Sequence, residues 1–186
     1  MGRGMITVDF LRTLLRYEPE TGKLFWLART PEMFVAKEQP AAHSCAIWNR
    51  RFAGQEALTA NTGRGYRQGS IFGKKCFAHR AAWALASGSW PEADVDHING
   101  DRSDNRADNL RSATRTENGR NQKLRSTNTS GAMGVSKARG DAWQAYVKVD
   151  GVSRHLGTFA SKEDAVRARR AADKALGFHE NHGRAA

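Results

Sequence analysis

The chain has 186 residues, 39% of them hydrophobic, which suits one or two domains with small cores. Lys and Arg total 30 against 19 Asp and Glu, a net charge of +11, and the excess is uneven: residues 111–186 hold 15 basic and 7 acidic side chains, residues 1–110 hold 15 and 12. A basic chain with this asymmetry points to a polyanion such as nucleic acid, while no apolar run approaches the ~20 residues that span a bilayer. The N-terminus lacks the apolar core of a signal peptide. Cys45 and Cys76 form no C-x-x-C pair, so a four-thiolate structural zinc site is excluded and reduced thiols in a cytoplasmic protein are expected.

In chain order, residues 6–17 carry Phe10, Leu11, Leu14 and Leu15 at helical spacing, and the spacing predicts a helix. Glu18 to Gly22 ends it, and Lys23 to Leu27 reads as a strand. Residues 29–47 show no pattern and read as a loop. Trp48 to Gly54 leads into a β region, where Gly65 to Ile71 and Cys76 to Ala78 pair across Gly73-Lys74-Lys75. Arg50, Arg51, Arg64, Arg67, Lys74 and Lys75 are candidate phosphate contacts, each equally consistent with simple solvation. His79 to Ser87 has helical spacing with Trp83 as its anchor. His79 reads as a packed or capping residue.

The stretch from Val95 to Gln122 carries the chemistry. Val95 to Ile98 is β-prone and runs into the turn Asn99-Gly100-Asp101. Asp104-Asn105-Arg106 continues a polar loop. Asn109 to Ser112 returns as a second strand, and Thr114 with Glu117 forms a T-x-x-E capping box that opens a helix bearing Asn118. Adjacent strand residues point to opposite faces, so Asp96 and His97 serve one site only at a strand end or bulge. Asp96 offers an anionic oxygen to a hard cation, and the Asn118 amide offers a neutral one. Few protein ligands leave room for water and phosphate, the usual Mg²⁺ arrangement at phosphoryl sites. His97 titrates near neutrality and can take a proton from water. Asn109 can fix the imidazole through its side chain or backbone.

Asp96-His97, with Asn109 thirteen residues after Asp96 and Asn118 twenty-two after it, resembles the HNH nucleases of the ββα-metal fold. It is closest to the phage and intron-encoded homing endonucleases. The flanking segment from His79 to Pro91 and the opening LLRYEPETGKLFW also resemble that group. The resemblance implies a divalent metal, most simply Mg²⁺ or else Mn²⁺, on Asp96 and Asn118. It further implies His97 as general base and Asn109 as its support. Many relatives have His at the Asn118 position, which implies weaker and less selective metal binding here.

After Arg125 the composition turns polar, and Ser126 to Ser130 reads as a linker. Three β segments follow, 134–139, 143–149 and 152–159, with turns at Gly140-Asp141 and Asp150-Gly151. Ser161 caps an Ala-rich helix over 162–176, closed by Gly177. Gly134-Val135, Trp143, Ala145, Leu156 to Phe159 and the Ala-rich helix resemble the Apetala-type DNA-binding domain of plant ethylene-response factors. That resemblance implies a sheet in the DNA major groove, with Lys137, Arg139, Trp143, Tyr146, Lys148 and Arg154 as candidate contacts. Ser136 and Ala138 stand where basic residues are usual, so plant-type base specificity is not carried over. Trp143 reads equally as a core residue. His179 and His182 fall in a tail expected to be disordered.

The expected fold class is α+β. An N-terminal extension (1–47) precedes an HNH unit (48–125), a linker (126–130), a three-stranded sheet plus helix (131–178) and a tail (179–186). The expected function is metal-dependent hydrolysis of double-stranded DNA by a bacterial or phage-encoded enzyme. The alternative is a DNA-binding regulator with an inactive HNH fold.

Overall fold

Residues 6–36 and 38–184 are described by a computed structural model of the protein. Contacts divide the chain into two units, Met1–Ser112 and Ala113–Ala186. Both mix helices with small antiparallel sheets, an α+β architecture.

In the first unit, Thr7 caps α1 (Val8–Leu14) by accepting from the Phe10 amide at 3.2 Å. The helix stops three residues short of the expected end. Leu15 turns extended and opens β1 (Leu15–Glu18), which pairs with β2 (Lys23–Trp26). Leu14 and Leu15 are both buried, so the same leucines satisfy a helical stripe and a strand-end core position. Hairpin pairing decides between them. Gly22, at φ +73°, closes that hairpin.

The expected loop over 29–47 is corrected by a short 3-10 turn (Pro31–Met33) and by α2 (Ala41–Phe52), so the boundary expected at 47/48 falls inside a helix. Local pattern did not show α2 because its contacts are distant in sequence. Trp48 packs edge-on against Trp26 at 5.6 Å, and the Arg29 guanidinium lies 3.8 Å from the Trp48 ring centre. Asn49 exchanges two 2.8 Å hydrogen bonds with the backbone of Arg29.

β3 (Ala60–Asn61), β4 (Arg67–Ile71) and β5 (Lys74–Phe77) form an antiparallel sheet in that order. The connection is the pair Phe72-Gly73, both at positive φ, so Lys74 and Lys75 lie in a strand rather than in the turn. Then comes α3 (Ala78–Ser87), whose alanines pack with Leu11, Leu14, Leu15, Leu24 and Ile71 into the principal core. β6 (Asp94–His97) pairs with β7 (Leu110–Ala113), and a short 3-10 turn (Ala107–Asn109) precedes β7.

The second unit opens with α4 (Arg115–Gly119), and the Thr114–Glu117 capping box is formed in both directions. β8 (Val135–Lys137), β9 (Trp143–Val149) and β10 (Val152–Phe159) make a sheet of order β10-β9-β8, covered by α5 (Lys162–Ala175). Ser161 caps α5 through the Asp164 amide. Arg169, buried on α5, donates to the Tyr146 carbonyl at 2.7 Å and pairs with Asp173 at 2.8 Å, so it ties helix to sheet.

Two expectations are corrected in this unit. The polar linker is a hydrogen-bonded turn: Asn128 accepts from the Gly131 amide at 2.7 Å, and buried Ser130 donates to the Ala132 carbonyl at 2.8 Å. Residues 179–184 of the tail are hydrogen-bonded, and residues 185–186 lie outside the described residues. The His179 amide donates to the Arg120 carbonyl, the Gly183 amide to Gln122, and the Leu124 amide to Arg184, at 2.8–3.2 Å. Residues 120–124 therefore fold with the C-terminal segment, and the break falls between Ser112 and Ala113 rather than after Arg125.

Candidate active site

β6 ends at His97, and the Gly100 amide donates back to the His97 carbonyl at 2.8 Å. Strand alternation thus stops where the Asp-His pair sits. Asp96 and His97 are 8% and 3% exposed, and Asn105 and Asn109 are each 4% exposed. Four buried polar side chains within fourteen residues are costly unless each is hydrogen-bonded.

Arg111 on β7 donates to Asp96 Oδ2 through Nε at 3.1 Å and Nη2 at 2.9 Å. His97 Nε2 lies 3.1 Å from Asn105 Oδ1. Asn109 holds the loop that carries Asn105: its Oδ1 accepts from the Asn99 amide at 2.9 Å, and its Nδ2 donates to the Asp104 carbonyl at 2.7 Å. Its own carbonyl accepts from the Ile98 amide at 2.9 Å. The Asn105 side chain thus reaches the imidazole, while the Asn109 side chain bonds the loop on either side of it. No spacing rule marks Asn105 in a polar loop; only burial and geometry do.

The same loop is braced along its length. Asn99 accepts from the Asp101 amide, and Asp101 accepts from the amide and hydroxyl of Ser103. Asp104 accepts from Asn99 at 2.8 Å and from Arg106 at 3.0 Å. Burial pulls the Asp104 carboxyl upward, but hydrogen bonds from Arg106 and Asn99 outweigh it and hold it below its ordinary value.

The N-terminal hairpin, which carried no chemistry in the sequence, braces this loop as well. The Tyr17 hydroxyl donates to the Asn105 carbonyl at 2.8 Å, and the Ala107 amide donates to the Pro19 carbonyl at 3.0 Å. A Cβ on Gly22 would lie 2.6 Å from the Arg106 nitrogen and the Asn105 carbonyl carbon, so the backbones meet because that residue is glycine. Burial, with Asp108 and Asp104 nearby, pushes the Tyr17 phenol up to about 12, so it remains a donor.

Aromatic rings enclose the imidazole. The His79 ring centre lies 5.4 Å and the Tyr66 ring centre 5.9 Å from that of His97. Burial lowers the His97 pKa; Asn105 and the carboxylates Asp96, Asp101 and Asp104 pull it back upward. The net direction favours a neutral imidazole, the form that accepts a proton. His79 is pushed down to about 3 by burial, with His97 and Arg80 adding to the effect. It is the packed histidine that the sequence suggested.

Asn118 sits on α4 in the second unit, half-buried, one turn after the capping box. Asp96, His97 and Asn109 belong to the first. Among the described residues no three of His, Cys, Asp and Glu gather as a metal cage. The donors the motif offers are one carboxylate and one amide oxygen. Such a hard, sparse set fits a cation that keeps several of its own waters.

In the C-terminal sheet, register sorts the candidate DNA contacts by face. Val135, Ala145 and Ala165 form the hydrophobic cluster between sheet and α5, with Trp143 packed against it. Lys137 is directly opposite Trp143, and Arg154 directly opposite buried Val147, so both share the helix side by register. Lys137 and Lys162 place their ammonium groups 5.9 and 5.7 Å from the Trp143 ring centre. Tyr146 and Lys148 alternate to the other face. There Gln144 donates to Ser136 at 3.1 Å, the Tyr146 hydroxyl donates to Gln144 at 3.1 Å, and the Tyr146 ring centre is 4.8 Å from that of His155. Arg139 follows β8 outside the strands. The six candidates therefore do not share one face, and Gln144, Ser136 and His155 are polar groups on the side of the sheet away from the helix.

The β6–β7 sheet carries a buried Asp-His pair at its strand end, and in the second unit α4 opens on a capping box and bears Asn118. Residues 76–120, about a quarter of the chain, match the family model described as HNH endonuclease, which supports a nuclease-type function and DNA as the substrate. No curated protein and no solved structure matches the chain. Among the described residues no helix is long and apolar enough to cross a membrane.

Proposed function

We propose that the protein is a metal-dependent endonuclease that hydrolyses phosphodiester bonds in double-stranded DNA, of the kind carried by phages and introns, acting in the cytoplasm. The observation that carries this reading is the buried Asp96-His97 pair at the end of β6, within the segment that matches the HNH endonuclease model.

The roles follow from chemistry. Neutral His97 accepts the proton of the attacking water. Asn105 and Asn109 hold the imidazole and its loop still. Asp96 and Asn118 are the oxygen donors for a divalent cation, Mg²⁺ or Mn²⁺, which would supply charge stabilisation at the phosphate and the leaving 3′-oxygen. Arg111 shares Asp96 Oδ2, so a cation on that carboxylate does so beside a guanidinium. The C-terminal sheet grips the duplex by its open face, with Lys148 on phosphate and Tyr146, Gln144 and His155 near the bases.

The test is conversion of supercoiled plasmid in the presence of Mg²⁺ and in EDTA. The parent protein is expected to nick or linearise DNA only with metal. His97→Ala is expected to keep DNA affinity and lose about a hundredfold or more in cleavage. Binding without cleavage by the parent protein under all divalent cations would favour the inactive-fold regulator.

A further inference from the structure

Arg29 follows β2 and is held at both its backbone and its side chain. The Arg29 amide donates to Asn49 Oδ1 at 2.8 Å. Its carbonyl accepts from Asn49 Nδ2 at 2.8 Å and from Cys45 Sγ at 3.1 Å, both on α2. Its guanidinium lies 3.8 Å from the Trp48 ring centre, 4.6 Å from that of Phe72 and 5.4 Å from that of Trp26. Rings attract a cation through their faces, which leaves the in-plane N–H groups of the guanidinium to find other acceptors.

Those N–H groups find none within the protein. Among the described residues no acceptor bonds the guanidinium and no carboxylate pairs with it, and its Nε is buried without a partner. Burial lowers the Arg29 pKa, and only Cys45 pulls it back. A half-buried cation without a counter-charge is costly, and an apolar side chain would fill the space between the rings without that cost. Nε is the one nitrogen of Arg29 that is enclosed unpartnered, so the Nη pair is the end open to a ligand. A planar fork fixed in advance matches a phosphate or a carboxylate by two parallel bonds.

The surroundings choose between those anions. Arg50 and Arg51 lie in the last turn of α2, both exposed. Arg51 sits 5.1 Å from the Phe52 ring centre, and Phe52 packs on Trp48 at 5.3 Å. Phe72, 40% exposed, leads through Gly73 into exposed Lys74 and Lys75. A lone carboxylate needs one cation; cations repeated along a surface suit a strand of repeated phosphates.

We propose that Arg29 is a phosphate-binding residue, whose Nη pair takes a phosphodiester of the DNA backbone while Trp48, Phe72 and Trp26 hold the guanidinium in place. This gives the first unit a DNA anchor of its own, besides the C-terminal sheet. The identity of the polyanion rests on the nuclease reading, but the contact is read as binding, without metal or turnover.

The experiment is a titration of the full chain on a fluorescent DNA duplex in EDTA, at several salt concentrations. Arg29→Met is expected to bind roughly tenfold more weakly at low salt and to flatten the salt slope by about one unit. Arg29→Lys keeps the charge and loses the fork, so it is expected to keep the slope and bind more weakly than the parent. An Arg29→Met variant with the parent slope and an affinity within about twofold would make Arg29 a packing residue and overturn the proposal. Should that variant fail to fold, ¹H–¹⁵N NMR of the Arg29 Nε–H in the parent protein decides. Its signal is expected to move on adding duplex or dimethyl phosphate, and to stay in place with acetate at the same ionic strength. A signal unmoved by saturating duplex would overturn the proposal, and one moved by acetate but not by duplex would assign a carboxylate partner instead. A parent protein whose DNA binding depends on Arg29 yet which cuts no DNA with any divalent cation would support the anchor and overturn the nuclease reading.

Discussion

The hydroxyl of Tyr17 donates a 2.8 Å hydrogen bond to the carbonyl of Asn105, 88 residues along the chain. Tyr17 is on the N-terminal hairpin and Asn105 touches the candidate base. Tyr17→Phe leaves that carbonyl without its donor and is expected to cost about 1–2 kcal/mol. Gly22→Ala adds positive-φ strain to a backbone clash and is expected to cost more than about 2 kcal/mol. Urea unfolding measures both, and cleavage should fall alongside stability.

The metal assignment is tested by titrating divalent cation against cleavage rate. Asp96→Ala is expected to abolish metal-dependent cleavage, because it removes the anionic donor of the pair. Asn118→Ala removes a dipole, so it should raise the cation midpoint while leaving residual activity. Arg111→Leu removes a positive charge from Asp96 and should move the midpoint to lower cation concentration. Identical titrations for parent and all three variants would remove Asp96 and Asn118 from metal binding.

Acid is expected to unfold the first unit through His79. Its folded pKa is near 3, well below the unfolded value of about 6.5. A lowered pKa means that the unfolded chain binds the proton first, so the stability is fully present above pH ~6.5 and is lost as pH falls towards 3. The slope in that window is about 1.4 kcal/mol per pH unit for one such group. His79→Leu should flatten the pH dependence of thermal unfolding between pH 6.5 and 4, with His97 supplying what remains.

Residues 113–186 are expected to fold as one fragment, and residues 131–178 alone to be less stable. Removing residues 179–186 deletes the backbone hydrogen bonds to 120–124 and the Arg184 contacts to Asn121 at 2.9 and 3.1 Å. At roughly 1 kcal/mol for each of these hydrogen bonds, the loss is about 5 kcal/mol. Thermal melting of the two fragments checks the stability. Hydrogen exchange over residues 115–124 checks that the loss reaches the helix bearing Asn118.

DNA binding should follow the open sheet face. Lys148→Ala is expected to flatten the salt dependence of binding by about one unit, the signature of one phosphate contact. Lys137→Ala, on the helix side, should leave the slope unchanged. Trp143→Ala should act through stability because its ring packs on the cluster under α5. Equal slopes for Lys148→Ala and the parent protein would move the DNA grip elsewhere.

What the sequence determined alone was local. Turn chemistry at Asp150-Gly151, the Thr114–Glu117 capping box, the Ser161 cap and the alternation of β9 are set by neighbours a few residues apart, and each lies where the sequence put it. The Asp96-His97 pair stood out in the sequence because a hydrolytic site would need particular residue types at fixed spacing. Tertiary structure decided what depends on distant partners. α2 forms where pattern showed a loop because Trp26 and Arg29 receive its Trp48. Leu15 leaves the helix because β2 offers it a hydrogen-bonded partner. Residues 179–184 are held because residues 120–124 supply their backbone bonds. Asn105 reaches His97 because Tyr17 and Gly22 hold its loop. A buried amide carries no periodicity and no motif, so only the packing that buries it reveals what it does.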